Sequence, residues 1–202
     1  YFWHLNKIIK TNLIIPILQM KKTIFSLAIL SLLFIGCKKD QNPFQISKQH
    51  IGLLTDSTQV KDLKAIYAND SIVVRLHDNE FTFNRKDIDV FDKEGNKLLT
   101  LTPKKIQDST ATIETIKVLD PRFKTDKGLS TISTFGDIEK NYKISSIQNT
   151  LKNVVVFVNE INAFFTIAKT ELPAELQFDT SIKIDAVNIP EKAKIKYFMI
   201  GW

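Results

Sequence analysis

The sequence predicts an α+β domain dominated by antiparallel sheet, built as two halves that each place a capped helix before a β-meander. Three observations carry this expectation. Apolar or alternating runs of four to seven residues recur between residues 72 and 200, as half-buried strands require. Turn-forming residues separate them, with Asp92-Lys93-Glu94-Gly95-Asn96 supplying glycine where a hairpin wants positive φ. The order glycine, Ser-Thr, apolar, tyrosine also occurs twice, as Gly52, Ser57-Thr58, Leu63, Tyr67 and as Gly128, Ser133-Thr134, Ile138, Tyr142. The halves are placed at about 44–106 and 107–202, within a single domain over 44–202. Either a duplication or two halves sharing helix-start chemistry produces this pattern, and both predict the same architecture.

The N-terminus comes first in chain order. Met20 is followed by Lys21 and Lys22, then by thirteen uncharged, mostly apolar residues (23–35), a small residue and Cys37, which is the pattern of an export signal. The apolar stretch falls short of the ~20 residues that span a bilayer. Phe34-Ile35-Gly36-Cys37 resembles the lipobox of bacterial lipoproteins, with Phe34 where that family usually has leucine. The resemblance implies a diacylglycerol on the Cys37 thiol and cleavage before it, so that 20–36 is the signal peptide. Cys37 is the only cysteine, which suits that one role. Residues 1–19 are read as an upstream extension, since Met20 begins a complete signal. The other reading is an amphipathic extension, with Leu13, Ile14 and Ile15 apolar and Lys7 and Lys10 basic.

Charge narrows the partners. The chain has 28 bases and 22 acids, net +6, but residues 1–36 hold four of the bases and no acid. The remaining 24 bases against 22 acids give +2, and no stretch interleaves several bases with aromatics, so nucleic acid is not an expected partner. The 166 residues from Cys37 onward suffice for one well-packed domain.

Residues 37–43 are polar, end in proline and read as a tether. A strand is expected over 44–54. A helix should follow, capped from Thr55-Asp56-Ser57 and presenting Val60, Leu63, Ile66 and Tyr67 on one face. Strands are then predicted at 72–76, 80–84, 88–91, 97–101, 113–119, 154–158, 163–167 and 194–200, with Asp120-Pro121 as a break. Alternation around Ile88, Val90 and Phe91 puts Asp87 and Asp89 on a solvent face, and Asp92 and Glu94 in the turn after it. Phe81, Phe83, Phe157, Phe164 and Phe165 are assigned to the core.

The helix-plus-meander pattern resembles outer-membrane assembly lipoproteins and is also similar to the tandem-repeat β-lactamase inhibitor proteins. The chain as a whole is similar to uncharacterised envelope lipoproteins of Bacteroidota. None of these resemblances transfers a catalytic residue. They imply a lipid-anchored envelope protein whose partners are membrane lipid, through Cys37, and an unidentified envelope protein. The mixed charge of Lys38-Lys39-Asp40 favours the periplasmic face of the outer membrane.

Chemistry-bearing motifs are sparse. His50 and His77 lie on separate predicted strands without metal-ligand spacing, and the acids at 87–94 lack the order of a calcium loop, so no metal or other cofactor is expected. There is no Gly-x-Ser-x-Gly elbow and no phosphate-cradling loop, and no catalytic residue is nominated. The best candidate contact region is Arg122, Lys124 and Lys127 with Ser133 and Thr134, because cations and hydroxyls at a helix start attract anions. The leading expectation is a protein-binding or assembly-accessory module. The alternative is a small-ligand carrier or enzyme with its site in the concave face of the sheet.

Overall fold

A computed structural model describes residues 42–77 and 85–202. The signal segment, Cys37, most of the tether, the strand expected at 80–84, and Phe81 and Phe83 lie outside the described residues.

Eight strands form one antiparallel sheet, two four-stranded meanders joined edge to edge. Its first half is a meander of β4 (Ser71–His77), β5 (Arg85–Phe91), β6 (Lys97–Pro103) and β7 (Ile113–Val118). Its second half is a meander of β9 (Ser146–Asn149), β10 (Asn153–Val158), β11 (Ala163–Ala168) and β12 (Ile195–Gly201). The two meet where the last strand of each pairs antiparallel, Val118 opposite Phe198 and Ile116 opposite Ile200. The expected α+β architecture of two helix-plus-meander halves is therefore present. The first meander runs to Val118, so the division expected at 106/107 falls between β6 and β7, which are paired neighbours.

The helices are short. α1 (Leu63–Ile66) follows a 3₁₀ turn over Val60–Asp62, and α2 is Phe135–Asn141. Both end at a tyrosine, whose backbone N–H donates to the carbonyl four residues earlier: Tyr67 to Leu63 and Tyr142 to Ile138, the first short of the end that Asn69-Asp70 predicts. Both starts are closed by carbonyls of the connection leading into the last strand of their own meander. Val60 and Lys61 donate to Ala111 and Ser109, and Phe135 and Gly136 to Ala193 and Glu191. The Thr55-Asp56-Ser57 cap expected for the first helix is thus replaced by main-chain acceptors, which fill the same orphan donors.

The strand expected over 44–54 is instead three two-residue pieces, β1 (Gln45–Ile46), β2 (His50–Ile51) and β3 (Leu54–Thr55). Gly52, at φ +56°, turns the chain between the last two. β1 also pairs parallel with β8 (Lys124–Thr125), so the entry segments of the two halves share a small second sheet.

One apolar ladder crosses all eight strands of the large sheet: Ile72, Val90, Leu99, Val118, Phe198, Phe165, Val156 and Ile147. Against this face pack Ile46, Ile51, Leu54, Phe123 and Leu129 around the small sheet, with Leu63, Tyr67, Phe135 and Ile138 of the helices. These form one core cluster, with Phe123, Phe135, Phe165 and Phe198 among its largest fully buried side chains.

Gly52 and Gly95 provide a test of the turn chemistry. Both have positive φ, but a Cβ on Gly52 would lie 2.3 Å from the Pro43 carbonyl oxygen, whereas one on Gly95 would meet nothing within 4 Å. Gly95→Ala should cost about 1–2 kcal/mol, the penalty of left-handed backbone alone. Gly52→Ala should cost clearly more, read as the difference in urea-unfolding free energy.

Candidate functional site

Strand alternation that builds the core from one face leaves the other to be accounted for. The ladder on that opposite face runs Val73, Asp89, Thr100, Lys117, Met199, Phe164, Phe157 and Ser146 from edge to edge. It is polar on the first meander and apolar on the second. Met199, Phe164 and Phe157 are half-buried and lie outside the core cluster. The Phe157 and Phe164 rings stack with centroids 5.9 Å apart. Beside them Tyr197, also half-buried, carries the Lys117 ammonium 3.7 Å over its ring.

This corrects two assignments. Phe157 and Phe164, expected in the core, lie on the open face, because β10 and β11 are apolar on both faces and alternation alone cannot choose between them. Phe165 is in the core as expected. Asp87 and Asp89 do face away from the core, but they are not solvated: their residues are 7 % and 3 % exposed.

Cross-strand neighbours close over both carboxylates. Arg75 on β4 meets Asp89 with two nitrogens, Nε at 2.6 Å and Nη2 at 3.0 Å. From β6, the Lys97 ammonium lies at 2.8 Å and the Thr100 hydroxyl donates at 2.8 Å. Thr102 donates to Asp87 at 2.9 Å. Burial pushes the Asp89 carboxyl up, and the hydrogen bonds from Arg75, Lys97 and Thr100 outweigh it, so the group titrates below the ordinary carboxylate range. The polar half of the face is therefore a pre-set charge array, not a loose acidic patch.

Where the two halves of the face meet, a groove of about 430 Å³ crosses the β7–β12 seam. Thr102 and Thr115 line it from the first meander, Phe164 and Met199 from the second, and Lys86 and Lys104 flank it.

The residues expected to receive an anion have other roles. Arg122 donates to Asp92 (2.5 Å) and to both oxygens of Asp120 (3.0 and 2.8 Å), and its guanidinium lies 4.7 Å over the Phe44 ring. It latches the β5–β6 turn to the small sheet. Lys127 donates to the Asn141 carbonyl at 2.6 Å, capping the end of α2, and lies over the Tyr142 ring. The Ser133 hydroxyl accepts from the Ser130 N–H. The backbone N–H and hydroxyl of Thr134 both donate to Asp137. Asp137 thus supplies the negative charge that this helix start favours. Lys124 is exposed on β8, where its backbone N–H donates to Phe44. Arg122, Lys127, Ser133 and Thr134 are used in separate local contacts, and the five residues are not gathered into one anion site.

Among the described residues no three His, Cys, Asp or Glu side chains are grouped as metal ligands, and no helix is long and apolar enough to cross a membrane. No family model and no curated protein matches the chain. Among solved structures, its fold is similar to that of the uncharacterised protein YfeY from Escherichia coli. The likeness covers 78 % of this chain and 99 % of that one, with a TM-score of 0.53 and 16 % identity. At that identity YfeY speaks to fold alone.

The Asp89 array has a pH signature. Because Asp89 titrates below its unfolded value near 4, the unfolded chain binds more protons in the window from about pH 4 downward. The stabilisation is complete above that window and is lost as pH falls through it. Asp89→Asn should reduce stability at pH 7 by about 1–3 kcal/mol. That gap should narrow by pH 3, as measured by urea unfolding at both pH values; a gap of equal size at both would contradict the account.

Proposed function

We propose that this chain is a lipid-anchored lipoprotein of the bacterial envelope whose folded domain binds a protein partner on the open face of its sheet. Acylated Cys37 holds it in the outer membrane, facing the periplasm. The Met20-to-Cys37 motif supports the anchor, and each buried acyl CH₂ contributes ~0.8 kcal/mol to membrane retention.

The observation that carries the binding reading is the half-buried row Met199, Phe164 and Phe157 with Tyr197 beside it. Apolar aromatic side chains on the sheet face turned away from a filled core suit a protein-binding surface. A carrier needs an enclosed apolar cavity, whereas the groove here lies on the sheet surface and has mixed polar and apolar walls. Aromatic anchors beside a fixed charge array would give a partner both contact area and register.

Two measurements separate the parts of this reading. Metabolic labelling with an alkyne fatty acid should mark the parent chain and leave Cys37→Ala unmarked. Affinity capture from the native envelope should recover a discrete protein with the parent. Recovery should drop at least tenfold with Phe164→Ala/Tyr197→Ala, since losing two aromatic contacts at an interface centre removes about 2 kcal/mol or more. Equal recovery by parent and face variant would refute the open face as the binding surface.

A further inference from the structure

The two edges of the large sheet are treated differently. β9 is only four residues long, and a neighbouring segment is tied to it: Asn149 Nδ2 donates to the carbonyls of Asp179 (3.0 Å) and Ile182 (2.8 Å). Short length and a covering loop are ordinary means of blunting an edge. β4 at the other edge is not blunted by short length. It is seven residues long, has no proline or lysine, and keeps an unbroken register with β5 over seven pairs. Among the described residues no strand pairs with its outer side. Its one arginine reaches across its own sheet to Asp89.

β4 also exposes its apolar side chains. Val73, Val74 and Leu76 are 45 %, 53 % and 70 % exposed. Val74 and Leu76 point to the core side of the sheet, where they continue the alternation of Ile72 beyond the packed core.

We propose that β4 is a self-association edge, on which a second copy of this chain pairs antiparallel about a two-fold axis at Val74. The sequence of β4 is complementary to itself in this register. Val74 faces Val74 of the second copy, and Leu76 faces Ile72 of the second copy on the same side of the sheet. On the other side, Arg75 faces Val73 of the second copy, while each arginine keeps its own Asp89. Shifting the axis to Arg75 would set two arginines directly opposite one another, which is destabilising. Shifting it to Val73 would place Leu76 opposite Asp70 of the second copy, just before that strand. Charge and apolar pairing therefore select one register, and isologous contact closes the assembly as a dimer. The joined strands would make one continuous sheet with both open faces on the same side. This inference does not depend on the anchor or on the partner proposed above.

The test is register-specific cross-linking. In the full chain in detergent, with the sole native cysteine removed by Cys37→Ala, Val74→Cys places one thiol on the axis. Directly opposed residues in an antiparallel pair have Cα atoms about 4.5–5.5 Å apart, within disulfide range. Leu76→Cys is more exposed, but its copies would sit four residues apart along the ladder, about 13 Å. Mild oxidation should yield a disulfide dimer from Val74→Cys and little from Leu76→Cys. Sedimentation should show a dimer for the parent, with at least tenfold weaker association for Val74→Lys and an unchanged circular dichroism spectrum. A monomeric parent, no dimer from Val74→Cys, or equal cross-linking of the two cysteine variants would overturn the proposal.

Discussion

The pairing of β7 with β12 is the constraint on which the rest of the structure depends. Each meander alone is four strands, too small to enclose a core of this size. Joined at Val118–Phe198 and Ile116–Ile200, they make a single surface on which one apolar ladder runs through eight strands. The pairing extends past the strand ends, where the Trp202 N–H donates to the Glu114 carbonyl at 2.9 Å. The other links between halves reinforce it. β1 pairs with β8, and Arg122 ties the β5–β6 turn to the segment that opens the second half. Because each helix start is closed by the connection into β7 or β12, correct placement of the seam strands also fixes both helices.

A continuous sheet with its small sheet and helices on one face must expose or otherwise satisfy the other. The first meander does so with charge: Arg75, Lys97, Thr100 and Thr102 pair two carboxylates that would otherwise be buried without compensation. The second meander leaves aromatic and aliphatic side chains half-buried there. The seam is therefore also the line where a polar surface meets an apolar one, and the groove crosses it. That juxtaposition is the basis of the recognition surface proposed above.

Local chemistry was legible in the sequence and pairing across distance was not. Gly95 marked its hairpin turn, and most of the large-sheet strands lie within a residue or two of their apolar runs. β1, β2 and β3 were not legible, because two-residue strands have no periodicity and are defined by partners elsewhere in the chain. The seam was not legible either, since nothing local in 113–118 points to 195–201 as its neighbour. The open face does have a signal in the sequence: Phe157 and Phe164 belong to runs that are apolar on both faces, which an antiparallel sheet covered on one side does not need for its core. Asp87 and Asp89 looked solvated because their cover comes from Arg75 and Lys97, on strands whose register only the fold supplies.

Native-state hydrogen exchange across β7 and β12 tests most directly the claim that the seam makes one cooperative sheet. If it does, the paired amides around Ile116, Val118, Phe198 and Ile200 should exchange only through global unfolding, with the same opening free energy on both strands. Exchange of either meander as a separate unit, with seam amides released at lower free energy than the meander interiors, would contradict the account.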